Sequence, residues 1–249
     1  MIVVLGAAGM LGEAVVRRLV ADGREVAALT HEQCDVAVPL HVRAAMQATL
    51  PRVVVNCAGV LPGRDRETMR AVNTEAPRTV AIEAAAVGAR VIHVSTDCVF
   101  SGQQTDLLHT YTPPDAADDY GSTKASGEMV MQHVLNVRTS FIGARHGLVP
   151  WYRQQEQPVR GYARWYWSGQ TAENVAGAIA DRIFTEEHGL VHLATRLPMT
   201  KLHVLRLLHV AVRGQEVVPD WAPYRNHALV PTRGWELPPL TMEDIERAI

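Results

Sequence analysis

Tyr120 and Lys124 stand four residues apart in Tyr120-Gly121-Ser122-Thr123-Lys124. If a helix begins there, this spacing puts both side chains on one face, one turn apart. An ammonium beside a phenol favours the phenolate, so the tyrosine pKa is expected to fall below its usual value of about 10. Such a tyrosine can exchange a proton with a sugar or alcohol oxygen near neutral pH. Taken alone, Tyr-x-x-x-Lys more often marks a surface helix start with an exposed tyrosine and a solvated lysine. The surrounding chain decides between the two.

The first elements that could position this pair lie at the N-terminus. Ile2-Val3-Val4-Leu5 is a continuous apolar run rich in β-branched residues, as suits a buried parallel strand. Gly6-Ala7-Ala8-Gly9-Met10-Leu11-Gly12 follows, then a helical pattern from Met10 to Val20 with Gly23 where a C-cap belongs. Strand, glycine turn and helix are the setting for a dinucleotide pyrophosphate. Glycines let the backbone approach, and the helix N-terminus offers free N–H groups and positive partial charge. The spacing is Gly-x-x-Gly-x-x-Gly rather than Gly-x-Gly-x-x-Gly, so the fingerprint is met in logic rather than in letter. Gly6, Gly9, Met10, Leu11 and Gly12 are the expected pyrophosphate cradle.

Strand two, Glu25 to Thr30, ends in Leu29-Thr30-His31, with no acid until Glu32. A carboxylate at this end would select NAD by holding the ribose 2′-hydroxyl. Its absence leaves room for a 2′-phosphate near Thr30 and favours NADPH over NADH, although no arginine stands there either. Asp35, followed by Val36, could accept from the adenine amino group or cap a turn. Strand three, Arg52 to Gly59, ends in Cys57-Ala58-Gly59, small enough for the chain to pass close to a cofactor.

Helical patterns at His41–Leu50 and Met69–Val87 follow, the second holding Asn73 and a kink or break at Pro77. Strand four, Arg90 to Thr96, delivers Thr96 and Asp97 to its carboxyl end. A long loop with Pro113-Pro114 leads to a helix expected over Tyr120–Val134, then strand five over Asn136–Gly143. This regular alternation predicts an α/β fold with a doubly wound parallel sheet. Ligands bind at the carboxyl ends of such strands, so the tail of strand four and the Tyr120 helix should face one crevice.

Beyond Gly143 the alternation loosens. Residues 145–170 hold Trp151, Tyr152, Tyr162, Trp165, Tyr166 and Trp167, which suit a pocket lid or interface as well as they suit filler for a small core. A capped helix over Thr171–Phe184, a strand over Gly189–Ala194, a helix over Thr200–Val212, a short strand at Glu216–Val218 and a capped helix over Thr241–Ile249 complete the chain. The expected division is a dinucleotide-binding domain of residues 1–143 and 171–188, interleaved with a smaller C-terminal substrate lobe of 144–170 and 189–249.

Composition narrows the function classes. The 249 residues carry a net charge of −2, which gives no reason to expect nucleic acid or an anionic membrane as partner. Cys34, Cys57 and Cys98 form no zinc pattern, no metal is expected, and three scattered cysteines suit a reducing compartment. Met1 leads directly into a strand, and no apolar run approaches the ~20 residues of a membrane span. A soluble, cytoplasmic protein is expected, with a homodimer admitted.

Three segments together carry a resemblance. The glycine turn, Ser95-Thr96-Asp97-Cys98-Val99-Phe100-Ser101-Gly102 and Tyr120-Gly121-x-x-Lys124-x-x-Gly127-Glu128 resemble the extended short-chain dehydrogenase/reductases, and within them the dTDP-4-dehydrorhamnose reductase branch. Val72-Asn73-x-x-Ala76-Pro77 and Arg138-Thr139-Ser140-Phe141 fit the same branch, with Phe141 and Cys98 where it usually has Trp and Tyr. The resemblance covers residues 1 to about 143, fades through 145–170 and returns weakly after Thr171. It implies a Rossmann fold and an NADPH-dependent reduction of the C4 ketone of a nucleotide-linked deoxysugar. It implies Thr96, Tyr120 and Lys124 as the catalytic set. Thr96 would bond the substrate carbonyl, Tyr120 would donate the proton, and Lys124 would hold the nicotinamide ribose. Asp97, Cys98, Val99, Phe141 and Arg233 would line the substrate. The dehydratases of this fold place a second acid where Cys98 stands, and the epimerases usually end strand four in two serines. A sugar-nucleotide epimerase and a non-catalytic NADP-binding regulatory subunit remain the alternatives.

Overall fold

The computed structural model describes residues 1–249. The first part holds strands β1 (Ile2–Leu5), β2 (Val26–Leu29), β3 (Val53–Asn56), β4 (Arg90–Thr96) and β5 (Val134–Thr139). Helices α1 (Met10–Ala21), α2 (Pro39–Thr49), α3 (Arg66–Arg70), α4 (Ala76–Ala86) and α5 (Asp119–Ser126) connect them. The second part holds the short strands β6 (Phe141–Ile142), β7 (Val159–Tyr162), β8 (Trp165–Trp167), β9 (Gln170–Thr171), β10 (Gly189–His192), β11 (Ala194–Thr195), β12 (Met199–Thr200), β13 (Val217–Asp220), β14 (Arg225–His227) and β15 (Glu236–Leu237). Its helices are α6 (Leu148–Arg153), α7 (Ala172–Asp181), α8 (Lys201–Val212) and α9 (Met242–Ala248). None is long and apolar enough to cross a membrane.

Six strands form one sheet in the order β10-β5-β4-β3-β1-β2, and every pairing is parallel. Alternation along each strand builds a core on both faces. Ile2, Val4, Val53 and Val55 pack with α1 and α7 on one side. Val3, Leu5 and Val54 pack with α2 and α4 on the other. The chain leaves β1 for β2 on one side and returns to β3 on the other. The resulting switch point opens a crevice at the carboxyl ends of β1 and β3.

The expected doubly wound sheet is therefore present, with three local corrections. The helix starting at Asp119 stops at Ser126 instead of running to Val134, and Val134 already opens β5. Gly127 ends it by donating its N–H to Thr123 and Lys124, and the Asn136 amide then clasps the N–H and C=O of Met129. The kink expected at Pro77 appears as a π turn over Ala71–Glu75, between α3 and α4. Pro77 has no N–H, and its ring excludes the carbonyl four residues back, so the wider turn accommodates it. Third, β10 pairs with β5 at the edge of the main sheet. Residues 189–192 thus pair with the main sheet.

The second lobe has its own core, built from α6, α8 and α9 with Trp167, Val159 and Val217. Helix α9 carries the expected capping box between Thr241 and Asp244. Asp244 also accepts from Gln170 at 3.2 Å and from Asn174 at 2.9 Å, which ties α9 to the start of α7. Asp244→Ala should therefore destabilise the protein by about 1–2 kcal/mol, the range of a lost cap. A thermal melt should show a drop of a few degrees, whereas an unchanged midpoint would refute this role.

Candidate active site

Glycine geometry shapes the crevice first. Gly6 leaves β1 with φ of +72°, and a Cβ there would stand 2.7 Å from the Ala58 nitrogen. A Cβ at Gly12 would overlap the Gly6 carbonyl oxygen, so α1 sits directly on the turn. Gly9 caps α1 without a side chain, and the first N–H groups of the helix are left for a ligand. Gly6, Gly9, Gly12, Cys57, Ala58 and Gly59 come together as expected, with Met10 at the rim. Leu11 and Val36 turn their side chains into the core, so only their backbones can serve a cofactor. Thr30 lies half-buried at the end of β2. The Asp35 carboxylate accepts from Ala37 N–H at 2.9 Å, the turn role among the two expected of it.

Helix α5 carries the reactive pair to the same edge. Asp118 caps it by accepting from Gly121 N–H at 2.7 Å. Two glycines then let the helix close on its neighbours. A Cβ at Gly121 would overlap the Cys98 carbonyl oxygen, and one at Gly127 would overlap that of Asn73. Asn73, fully buried in the π turn, bonds both backbone groups of Val60 at 2.9 Å and reaches the Thr123 hydroxyl at 3.3 Å. It thereby fixes the loop after β3 against α5.

The electrostatics differ from the expectation for Tyr120. Lys124 is buried and donates its ammonium to the Val94 carbonyl at 2.7 Å. Burial pushes its pKa down to about 8, although Glu128 opposes the shift. Tyr120 moves upward from its usual value because burial disfavours the phenolate, and the Thr96 hydroxyl offsets this only in part. Four-residue spacing does align the two side chains, but the ammonium satisfies itself on the sheet. Tyr120 is accordingly a protonated phenol at neutral pH, the form that donates a proton. Thr96 lies at the end of β4, where its oxygen accepts from Cys98 N–H and its hydroxyl donates to Asp97, both at 3.1 Å.

Beneath the site lies a buried ion pair. Arg138 of β5 donates from Nε and Nη2 to the two Glu128 oxygens at 2.8 and 2.7 Å, and Ser95 donates to the same carboxylate at 2.6 Å. His192 is pushed down to about 4, chiefly by burial and then by Arg138. The neutral ring can give its Nδ1 hydrogen to the Val230 carbonyl at 3.2 Å and accept from Arg138 at Nε2 over 3.4 Å.

A cavity of about 560 Å³ opens beside this edge. Met10 and Phe141 line it, and Trp151, Tyr162, Trp165 and Trp167 supply aromatic wall. The aromatic segment is thus pocket lining for these four, whereas Tyr152 fills the small core. Asp97 and Cys98 adjoin Thr96. Burial pushes Cys98 and Cys57 each up to about 12, which keeps both thiols protonated. Of the expected substrate residues Phe141 alone lines the cavity, and Thr96, Asp97, Cys98, Val99 and Arg233 do not. Val99 is wholly buried beside Phe100 and Leu108. Arg233 is exposed on a turn whose neighbours Gly234 and Trp235 are held by Arg182 and Glu187, away from the cleft. Lys201 and His227 were not expected; both stand near Asp97. Lys201 follows β12 and His227 ends β14, short strands with no strong local pattern, and only the fold places them.

Arg138→Met removes one partner of a buried pair and strands the Glu128 carboxylate. The expected cost is about 3–5 kcal/mol, with the double variant Arg138→Met/Glu128→Leu recovering much of it. Equilibrium urea denaturation checks this; a single variant as stable as the parent would contradict it.

Comparisons with known proteins agree with this geometry. Residues 1–148 match the RmlD substrate binding domain. A probable dTDP-4,6-dihydroxy-2-methyloxan-3-one 4-ketoreductase of Streptomyces antibioticus is 36% identical over 205 residues, 76% of this chain and 69% of that protein. A dTDP-4-dehydrorhamnose reductase of Streptomyces griseus is 36% identical over 148 residues, 56% of this chain and 49% of that protein. The match thus spans about half the length of the second relative. The crystal structure of a dTDP-4-dehydrorhamnose reductase from Bacillus anthracis, in complex with NADP, superposes with a TM-score of 0.87 at 20% identity, over 99% of this chain and 96% of that one. That likeness extends the shared fold through the second lobe. By residues 1–148 and by the Streptomyces antibioticus relative, the chain belongs to the RmlD substrate-binding-domain family.

Proposed function

We propose that this protein reduces the C4 ketone of a dTDP-linked deoxysugar, with NADPH as hydride donor and NADH as a poorer substitute, in deoxysugar biosynthesis. The observation that carries this reading is the convergence of Thr96, Tyr120 and Lys124 at the carboxyl edge of the sheet, beside a glycine turn and an uncapped helix. The names of the two Streptomyces relatives share reduction or a ketone on a dTDP-linked sugar, and the Bacillus anthracis structure holds NADP. The site fits a dinucleotide on its own terms, because Gly6 and Gly12 let the turn and α1 close on each other and Gly9 leaves the first N–H groups of α1 without a side-chain cap.

When bound, the reduced nicotinamide supplies the hydride. The chain does the rest. Thr96 turns its hydroxyl from Asp97 to the ketone oxygen, Tyr120 directs its own there, and Tyr120 gives its phenolic proton as the alkoxide develops. Lys124 leaves the Val94 carbonyl to hold the nicotinamide ribose, which brings its positive charge toward the phenol. That charge stabilises the tyrosinate left after proton transfer.

Tyr120→Phe should lower kcat by 10²- to 10⁴-fold, the usual range for a removed proton donor, with NADPH affinity nearly unchanged. Loss of NADPH absorbance with dTDP-4-keto-6-deoxy-L-mannose measures it. Turnover within tenfold of the parent would sink the assignment, as would a parent that binds NADPH and reduces no dTDP-ketosugar.

The pH dependence has a definite sign. Lys124 is charged below about 8 and loses its proton above, whereas Tyr120, shifted upward, keeps its proton throughout that range. Hence kcat/KM for NADPH, which reports the free enzyme, should fall as pH rises through about 8, with no tyrosine limb near neutrality. A profile flat to pH 9.5 would remove Lys124 from the cofactor site.

A further inference from the structure

Lys201 opens α8 and lines the cavity. Its Nζ lies 4.8 Å from the centre of the Trp167 ring, and it makes neither a hydrogen bond nor an ion pair. Asp97 acts on it only from beyond ion-pair distance. Trp167 is itself fixed, for its indole donates to the Ser140 hydroxyl at 2.7 Å, so the ammonium rests on a rigid aromatic face. A cation withdrawn from water without a counter-ion is costly, and a cavity-facing one is satisfied when a ligand brings the negative charge. The uncharged parts of the wall match what flanks such a charge in a sugar nucleotide. Phe141 and Met10 offer apolar surface to a sugar, and the indoles of Trp151 and Trp165 offer faces on which a base could stack.

We propose that Lys201 is the diphosphate anchor of this cleft, the residue that requires the ketosugar to arrive as a nucleoside diphosphate derivative. The proposal rests on the reductase reading for the identity of the sugar but not for the anion. Lysine suits the task as a compact point charge on a flexible stem that can follow either phosphate. The specificity that results is for the handle on the sugar, while Thr96 and Tyr120 select the ketone.

The test measures dTDP and thymidine binding by calorimetry to the NADPH-loaded protein and to its Lys201→Met and Lys201→Arg variants. Met keeps the stem over Trp167 and removes the charge; Arg keeps the charge. Lys201→Met should weaken dTDP by about 10- to 100-fold, as expected for one lost charge-assisted contact. Thymidine and NADPH should bind as before, and Lys201→Arg should recover most of the dTDP affinity. In steady state the same variant should raise KM for the dTDP-ketosugar more than it lowers kcat. Unchanged dTDP affinity in Lys201→Met would overturn the proposal, including the case where KM for the ketosugar still rises and the contact is with the sugar. Equal losses for dTDP and thymidine would overturn it too, because the variant then disturbs the wall and not the phosphate. Tight, Lys201-dependent dTDP binding without ketosugar turnover would leave the anchor standing and remove the reductase reading.

Discussion

The Glu128 carboxylate is the point on which the site is hung. It ends the segment begun by Tyr120 and Lys124, and it receives Ser95 of β4 and both arms of Arg138 of β5. One carboxylate therefore fixes the relative height of the helix and the two strands whose ends carry Thr96, Tyr120 and Phe141. A hydrophobic contact could hold them together, but it would not fix register, because apolar surfaces slide. Bidentate hydrogen bonds in a buried setting tolerate little displacement. Arg138 also lies over the Phe100 ring at 5.2 Å and meets the neutral His192, so the pair is closed from both sides. Removing either partner exposes the cost of the other, which is why the pair and its serine behave as a unit.

The same buried setting decides protonation. Desolvation lowers Lys124 and raises Tyr120, so both groups drift toward their neutral forms. For a ketone reduction this is the right starting state at the tyrosine, since the phenol must hold a proton to give. The lysine then matters most after the transfer, when the phenolate needs a nearby positive charge. Its bond to the Val94 carbonyl holds the amine close at hand without spending that charge on the phenol beforehand.

Much of this was legible in the sequence, and the reasons are local. The sheet and its crevice follow from β-branched runs alternating with helical patterns, and the glycine turn announces its own geometry. Tyr120 and Lys124 were singled out by their spacing, and Thr96 by its place at the end of a strand and by the resemblance. Failures arose where a distant group outbid a near one. Lys124 was expected to act on Tyr120 but bonds a sheet carbonyl thirty residues away in sequence. The helix was expected to pass Gly127, yet the Asn73 carbonyl and the Asn136 amide stop it. The pairing of Gly189–His192 with β5 was not expected, because nothing in its neighbourhood reveals that β5 still has a free edge. Lys201 and His227 were missed for the same cause, since they reach Asp97 only through the folding of three short strands.

Those short strands explain how a compact chain still walls a cleft. The second lobe spans its gap with two- to four-residue strands and with large side chains. An indole reaches across a distance that a small residue would need extra backbone to cover. Trp167 shows this, since its ring joins the lobe to Ser140 on one side and supports Lys201 on the other. The family match ends at residue 148, and most of the cavity wall lies beyond it. The residues of the proposed reaction and most of the cavity wall thus lie in different parts of the chain. The part that moves the proton is bound by the Glu128 register and by the glycine contacts, where few substitutions fit. The cavity wall consists largely of side chains projecting from short strands and helix ends. A fold arranged this way can change its sugar while its chemistry stays fixed.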